Sequence, residues 1–230
     1  MDASLLLKRE AEERFFFDRL PVATSRAFLY CADLPLFIKS SWYLAGGTAL
    51  ALQAGHRQSV DLDFFTPRAS FQETDLERKL LKTTLWHTSL RREGTLYGTL
   101  AGAKMSFIAY PFFRPAKPKI GFGKLRILAP EDIAAMKIIA ISQRGRKRDF
   151  ADLYWYCVNR EPLELVISHA VAQYPDQDHN LPHFFKSLTY FEDAEGDPMP
   201  RLFFDATWNG IKKFFRREVP VVARKLMRLG

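Results

Sequence analysis

Residues 44–65 read Leu44-Ala45-Gly46-Gly47-Thr48-Ala49-Leu50-Ala51-Leu52-Gln53-Ala54-Gly55-His56-Arg57-Gln58-Ser59-Val60-Asp61-Leu62-Asp63-Phe64-Phe65. Few folds accommodate that order of residues, and the Asp-x-Asp end is the most demanding part. A strand sends alternate side chains to opposite faces, so Asp61 and Asp63 project together while Val60, Leu62 and Phe64 point the other way into a core. Their Cα atoms then stand about 6.7 Å apart. From that spacing both carboxylates reach one divalent ion, or a pair of ions about 3.5–4 Å apart. Two like charges flanked by large apolar residues repel and are poorly hydrated, so either a carboxyl pKa rises or a cation binds. Hard oxygen ligands of this kind suit Mg²⁺ (or Mn²⁺).

The glycine pair supplies the complement. Leu44 and Ala45 read as the end of a short buried strand, and Thr48 to Ala54 are good helix formers stopped by Gly55. Gly46-Gly47 is then a strand-to-helix turn. Without Cβ atoms its backbone approaches a phosphate closely, and the N–H groups and positive dipole end of the helix attract the negative charge. Thr48 either caps the helix or donates its hydroxyl. Arg57 and Ser59, in the return loop, add a bidentate guanidinium and a hydroxyl. Taken singly, a Gly-Gly before a helix is commonplace and an Asp-x-Asp is often a solvated strand edge. Packed together they form a nucleotide and metal cradle: Gly46, Gly47, Thr48, Arg57 and Ser59 for the triphosphate of an NTP, Asp61 and Asp63 for the metal.

A second block follows. Pro130-Glu131-Asp132 starts a helix expected to run to about Ser142. Lys137 lies beside the apolar face made by Ile133, Met136, Ala140 and Ile141, where it either reaches a triphosphate or snorkels over the core. The basic turn Arg144-Gly145-Arg146-Lys147-Arg148 leads into a helix carrying Asp149 and, one turn on, Asp152. Asp149 alone is an ordinary first-turn acid. With Asp152 on the same side, the two either face a cleft, with Asp152 the preferred catalytic group and Asp149 the second, or pair with Lys137 or Arg148.

Residues 46–65 resemble the nucleotidyltransferase motif of the AbiEii/AbiGii toxin family, a branch of the DNA polymerase β-like superfamily. Residues 134–140 and 144–154 resemble that family's lysine helix and its Arg-Asp-x-x-Asp-Leu motif. The resemblance extends over about residues 40–157. It implies an α+β fold with a polymerase β-like core, a mixed sheet, N-terminal helices and a C-terminal helical region. It also implies metal-dependent transfer of NMP from an NTP to an acceptor hydroxyl, with Asp61, Asp63, Lys137, Asp152 and Asp149 in the chemistry. Members belong to abortive-infection and type IV toxin-antitoxin systems, so a cognate antitoxin is implied, and the acceptor in related toxins is tRNA. One departure concerns the third metal carboxylate that polymerase β-like enzymes often place on a neighbouring strand. The candidate strand here, Ala103 to Tyr110, has no acid, and Ser106 or Lys104 occupies that neighbourhood. A small-molecule nucleotidyltransferase and a non-catalytic nucleotide- or RNA-binding module stand as alternatives.

The remaining sequence sets the frame. A chain of 230 residues with 47% hydrophobic content supports a substantial core. The net charge of +8 favours a polyanionic partner such as RNA. Near the end, Lys212, Lys213, Arg216, Arg217, Arg224, Lys225 and Arg228 lie among Trp208, Phe214, Phe215, Leu226 and Leu229. That pattern is either a nucleic-acid face or an amphipathic helix with a solvated basic side. Cys31 and Cys157 read as reduced core residues. With no membrane-spanning or signal-like segment, a cytoplasmic protein is expected. Two parts are expected: 1–129, the core with helices over Leu5 to Leu20 and Thr24 to Lys39, and 130–230, a helical region that completes the active site. Phe71 to Leu81 is expected as a helix. Strands are expected over Thr83 to Arg91, Gly94 to Gly102, Lys104 to Tyr110 and Lys119 to Leu128.

Overall fold

Local turn chemistry organises the sheet. The structure is a computed structural model that describes residues 14–175 and 180–227, and the chain divides into two compact units, Met1–Pro130 and Glu131–Gly230. In the first unit a seven-stranded sheet comprises β1 (Tyr43–Ala45), β2 (Leu62–Thr66), β3 (Trp86–Arg92), β4 (Thr95–Leu100), β5 (Ala103–Ala109), β6 (Ile120–Phe122) and β7 (Leu125–Ile127), in the order β3-β4-β5-β2-β1-β7-β6. β2 runs parallel to β5 and β1 parallel to β7, while the other pairs are antiparallel, so the sheet is mixed. The β4–β5 reversal has two successive positive φ values, 50° at Ala101 and 85° at Gly102, as tight hairpin turns require.

Pairing register separates the two faces. Leu44 lies opposite Phe64 on β2, and Phe64 opposite Phe107 on β5. All three are fully buried. Phe64 and Phe107 stack at 5.3 Å, and Phe37 and Trp42 close on them at 4.8 Å and 5.1 Å. This aromatic layer is the core under the sheet. Ala45, Asp63 and Ser106, in register with one another, occupy the opposite face.

Several boundaries differ from the expected ones. The run Lys119 to Leu128 is the hairpin β6–β7 rather than one strand, because Gly123 turns the chain at φ 53°. A Cβ there would come within 2.7 Å of the Ala32 carbonyl. Helix α1 covers Val22–Asp33 and stops short of Lys39, since Pro35 opens a separate 3₁₀ turn, Pro35–Phe37. Of the expected Leu5 to Leu20 helix, residues before Arg14 lie outside the described residues; Arg14 is helical, and the chain beyond it holds the separate 3₁₀ turn Phe17–Arg19. Val60, expected in the core, is 47% exposed. It sits ahead of β2, where the return loop is pinned by the Thr24 hydroxyl donating to its carbonyl at 2.9 Å.

Helix α2 (Gly46–Ala54) joins β1 to that loop and ends at Gly55, which takes the left-handed conformation expected of it, with φ 63°. Helix α3 (Glu73–Leu81) precedes β3.

The second unit is helical: α4 (Pro130–Arg144), α5 (Lys147–Asn159), α6 (Leu163–Gln173), α7 (Leu181–Thr189), the single turn α8 (Glu192–Glu195) and α9 (Trp208–Leu226). Ile211, Phe215, Val219 and Val222 are the buried stripe of α9 at helical spacing, and Phe215 meets Phe150 of α5 edge-on at 5.4 Å. Arg228 and Leu229 of the basic C-terminal segment lie outside the described residues. Cys31 and Cys157 are free thiols, and burial pushes both upward from the ordinary thiol range.

Candidate active site

The cradle begins where β1 becomes α2. Gly46 has φ +72°, a backbone state that L side chains rarely adopt, and a Cβ on it would stand 3.0 Å from Asp63 Oδ2. A Cβ on Gly47 would fall on the Arg57 guanidinium and lie 3.1 Å from Ser59 Oγ. Both glycines are therefore required: the first lets the turn reach the carboxylate, and the second makes room for the guanidinium. Ala45, the residue ahead of α2, provides no side-chain cap, and the first N–H groups of the helix lie at the dipole's positive end.

Thr48 resolves between the two roles open to it. Its side chain is buried, and its hydroxyl donates to the Asp61 carbonyl and lies within hydrogen-bond distance of Ser59 Oγ, at 2.9 Å. It ties the helix to the approach of the aspartate strand. Ser59 is buried with it, and Arg57, only 3% exposed, donates from Nη1 to the Gln58 carbonyl at 2.9 Å. Asp61 directly precedes β2, and Asp63 is its second residue; both are half-buried. The structure thus brings Gly46, Gly47, Thr48, Arg57, Ser59, Asp61 and Asp63 into one local assembly.

The missing third acid also has a definite replacement. Ser106 is the register partner of Asp63 on β5, and its hydroxyl donates to Asp63 Oδ1 at 2.7 Å. Lys104, the other sequence candidate, is exposed and pairs with Thr99 in the ladder. Among the described residues no group of three or more His, Cys, Asp and Glu side chains is arranged to hold a metal. The acid set is Asp61 with Asp63. It fits a hard divalent cation: the donors are carboxylate oxygens, and Gly46 leaves open the space beside Asp63 Oδ2 that a Cβ would crowd.

In the second unit, Lys137 of α4 is buried, and its ammonium bonds to Asp149 Oδ1 and Asp152 Oδ2 of α5, each at 2.7 Å. The pairing of both acids with Lys137, one of the two sequence readings, is present. Arg144 Nε adds a looser contact to Asp149 Oδ2 at 3.7 Å. One buried cation thereby serves two buried carboxylates, with the exposed Arg144 bringing a second positive charge, which spares each the desolvation cost of standing alone.

The fate of the basic turn was not legible. Lys147 donates to the Asp197 and Glu195 carbonyls at 2.6 Å and 3.2 Å, its backbone N–H donates to Asp197 Oδ2 at 3.0 Å, and Arg146 pairs with Asp197 at 3.1 Å. The only sequence sign was opposite charge in two segments some fifty residues apart. Lys212 pairs with Glu195 at 2.6 Å and Lys225 with Glu164 at 2.7 Å.

Comparisons with known proteins follow the same outline. A family model described as "Nucleotidyl transferase AbiEii toxin, Type IV TA system" matches residues 28–99 and 108–227. An uncharacterised protein of Aquifex aeolicus is 34% identical over 187 residues, covering 80% of this chain and 89% of the relative. Among solved structures, MenT4, a nucleotidyltransferase toxin from Mycobacterium tuberculosis, superposes with a TM-score of 0.55 at 16% identity, over 97% of this chain and 90% of that one. A crystal structure described as a nucleotidyltransferase from H. pylori gives a TM-score of 0.51 at 17% identity, over 90% and 97%. At those identities the two structures speak for the α+β fold.

Proposed function

The chain belongs to the AbiEii nucleotidyl transferase toxin family of type IV toxin-antitoxin systems, and we propose that it transfers a nucleoside monophosphate from an NTP to a hydroxyl group of an RNA such as tRNA. The observation that carries this reading is the closeness of Gly46 to Asp63. The first turn of a helix with no side-chain cap opens beside a carboxylate whose strand neighbour Ser106 fixes its other oxygen.

Each residue has a physical task. The N–H groups at Gly46 and Gly47 bind triphosphate oxygens, and the positive end of α2 favours their charge. Arg57 places a fixed positive charge beside Gly47 that offsets the phosphates. Thr48 and Ser59 hold the turn against the aspartate strand, so that Asp61 and Asp63 keep their spacing when the ligand arrives. Asp61 and Asp63 would hold Mg²⁺ or Mn²⁺, which when bound lowers the charge at the reacting phosphate. The acceptor hydroxyl attacks the α-phosphorus, the bond to the bridging oxygen breaks, pyrophosphate leaves, and the hydroxyl proton passes to solvent. Lys137, Asp149 and Asp152 are assigned a positioning role: an ion-paired hub that joins α4 to α5.

No helix among the described residues is long and apolar enough to cross a membrane, and a cytoplasmic setting with a cognate antitoxin accords with the family. The test incubates the protein with Mg²⁺, each α-labelled NTP in turn and total cellular RNA, alongside Asp61→Ala. Label transferred to RNA by the wild type and lost in the variant, with unchanged thermal unfolding, supports the reading. Label found on a small molecule would move the acceptor class. Nucleotide binding without any transfer would leave a nucleotide-binding module.

A further inference from the structure

The face of the sheet that bears Asp63 carries a second row that the cradle does not use. Register places Ala45, Asp63 and Ser106 in one row and Tyr43, Phe65 and Ile108 in the next. The Tyr43 and Phe65 rings lie 6.2 Å apart at an interplanar angle of 28°. Tyr110 meets Phe65 edge-on at 5.5 Å, and Phe112, 48% exposed, continues the series from Tyr110 at 5.9 Å. The Lys119 ammonium stands 5.1 Å above the Tyr43 ring.

Core formation accounts for one end of this row, since Tyr43 is 1% exposed, but not for Phe65, Tyr110 and Phe112, which are half-buried or exposed. The aromatic core of the first unit lies on the other face, where Phe64 and Phe107 are fully buried. Phe65, the neighbour of Phe64, is only half-buried and stands on the acid face.

We propose that the accessible part of this row, Phe65 with Tyr110 and Phe112 beside it and the buried Tyr43 ring as its support, is a stacking platform for a nucleobase. The proposal rests on the nucleotidyltransferase reading and adds the subsite for the base. Phe65 is two residues beyond Asp63, about 6.7 Å along the strand, so a nucleotide with its α-phosphate at Asp63 has its base one ribose away, within reach of that row. Aromatic faces stack on any base, and a nearby cation strengthens the attraction to a π system. Apart from the Tyr110 hydroxyl the accessible rings carry no hydrogen-bonding group, so the platform is expected to bind bases while discriminating weakly among them. The base belongs either to the incoming NTP or to the terminal nucleotide of the acceptor strand, and the chemistry of stacking is the same for both.

The test is isothermal titration of the full chain, Phe65→Ala and Phe65→Leu in the presence of Mn²⁺. Three probes are used: inorganic tripolyphosphate, each NTP, and a short single-stranded RNA with either a normal or an abasic 3′ nucleotide. The expected result is that NTP binds the wild type more tightly than tripolyphosphate. Both variants then lose NTP affinity by roughly tenfold while keeping that for tripolyphosphate. Phe65→Leu retains apolar volume, so its loss reports the ring rather than the packing. Unchanged NTP affinity with a similar loss for normal but not abasic RNA supports the platform and assigns it to the acceptor's base. Variants that bind every probe like the wild type overturn the platform and leave the nucleotidyltransferase reading intact. So does an equal loss of tripolyphosphate in Phe65→Leu, which would make Phe65 a prop for the phosphate turn. Failure of the wild type to bind either NTP or tripolyphosphate would defeat the nucleotidyltransferase reading itself, and the platform with it.

Discussion

Ser106 shows how much of this site rests on single residues. The sequence shows no acid between Ala103 and Tyr110 and leaves Ser106 and Lys104 as neighbours of the pair; choosing between them needs the register of β2 against β5, which is set by long-range pairing. The hydroxyl bonds Asp63 Oδ1 at 2.7 Å and so orients that carboxylate without adding charge. Two substitutions separate orientation from charge. Ser106→Ala removes a hydrogen bond to a charged group, expected to cost about 1.5–3 kcal/mol in urea unfolding, and broadens the Mn²⁺ environment seen by electron paramagnetic resonance. Ser106→Asp puts a third carboxylate in register with Asp63 and is expected to tighten Mn²⁺ binding by about tenfold, since hard-cation affinity follows the number of ligand charges. Weaker Mn²⁺ binding in Ser106→Asp would show that the cation does not lie between these strands. By contrast, the glycines were legible, because a Gly-Gly between a buried strand and a helix has few other uses.

At the scale of elements, hydrophobic period and caps placed α2, α4 and α5 well, while pairings among distant charges were out of reach. Lys137 illustrates the limit. Helical spacing puts it at the edge of a face made by Ile133, Met136, Ala140 and Ile141, yet Met136 and Ala140 are half-buried while Lys137 is itself buried; its two partners sit on the next helix, and only packing puts both carboxylates at 2.7 Å. Lys137→Met leaves two buried carboxylates without their cation and is expected to cost about 3–5 kcal/mol in urea unfolding. Asp152→Asn keeps the bond from Lys137 to Asp149 and is expected to cost less. If Asp152→Asn instead lowers kcat at unchanged stability, Asp152 acts in the chemistry rather than as part of a hub. The α8–α9 contact titrates. Hydrogen bonds from Lys212 and Trp208 hold the Glu195 carboxyl below its usual range. A depressed folded-state pKa adds stability at pH above the unfolded carboxylate value, about 4.3, and that stability disappears as pH falls through the folded value. The difference in melting temperature between wild type and Glu195→Gln should therefore be full at neutral pH and shrink to nothing on acidification. A difference that persists below the carboxylate range would show that the bond's charge is irrelevant.

For the whole molecule, the surplus of 34 Lys and Arg over 26 Asp and Glu suggested a polyanionic partner from composition alone. Folding redistributes that surplus. Arg146 and Lys147 are taken up by Asp197 and its neighbours, Lys212 by Glu195, Lys225 by Glu164 and Arg217 by Glu218. Cations already held by carboxylates, or in the case of Lys147 by backbone carbonyls, release few counterions when a phosphate arrives, so a count of basic residues overstates the electrostatic part of RNA binding. Lys213 and Arg224 are exposed on α9 beside these pairs and are the better candidates for phosphate contact. If RNA is the acceptor, its affinity should fall as salt rises, with a logarithmic slope of about −0.7 for each phosphate neutralised on a single strand. A slope of roughly −2 to −3, equivalent to three or four phosphates, is expected for the wild type. Lys213→Glu with Arg224→Glu should reduce its magnitude by more than one unit, whereas Lys212→Gln with Lys225→Gln should leave it nearly unchanged. A flat salt response in the wild type would remove the polyanion from the acceptor's description and direct the search to small molecules bearing a hydroxyl. A steep slope insensitive to Lys213 and Arg224 would keep the RNA and place its track elsewhere on the molecule.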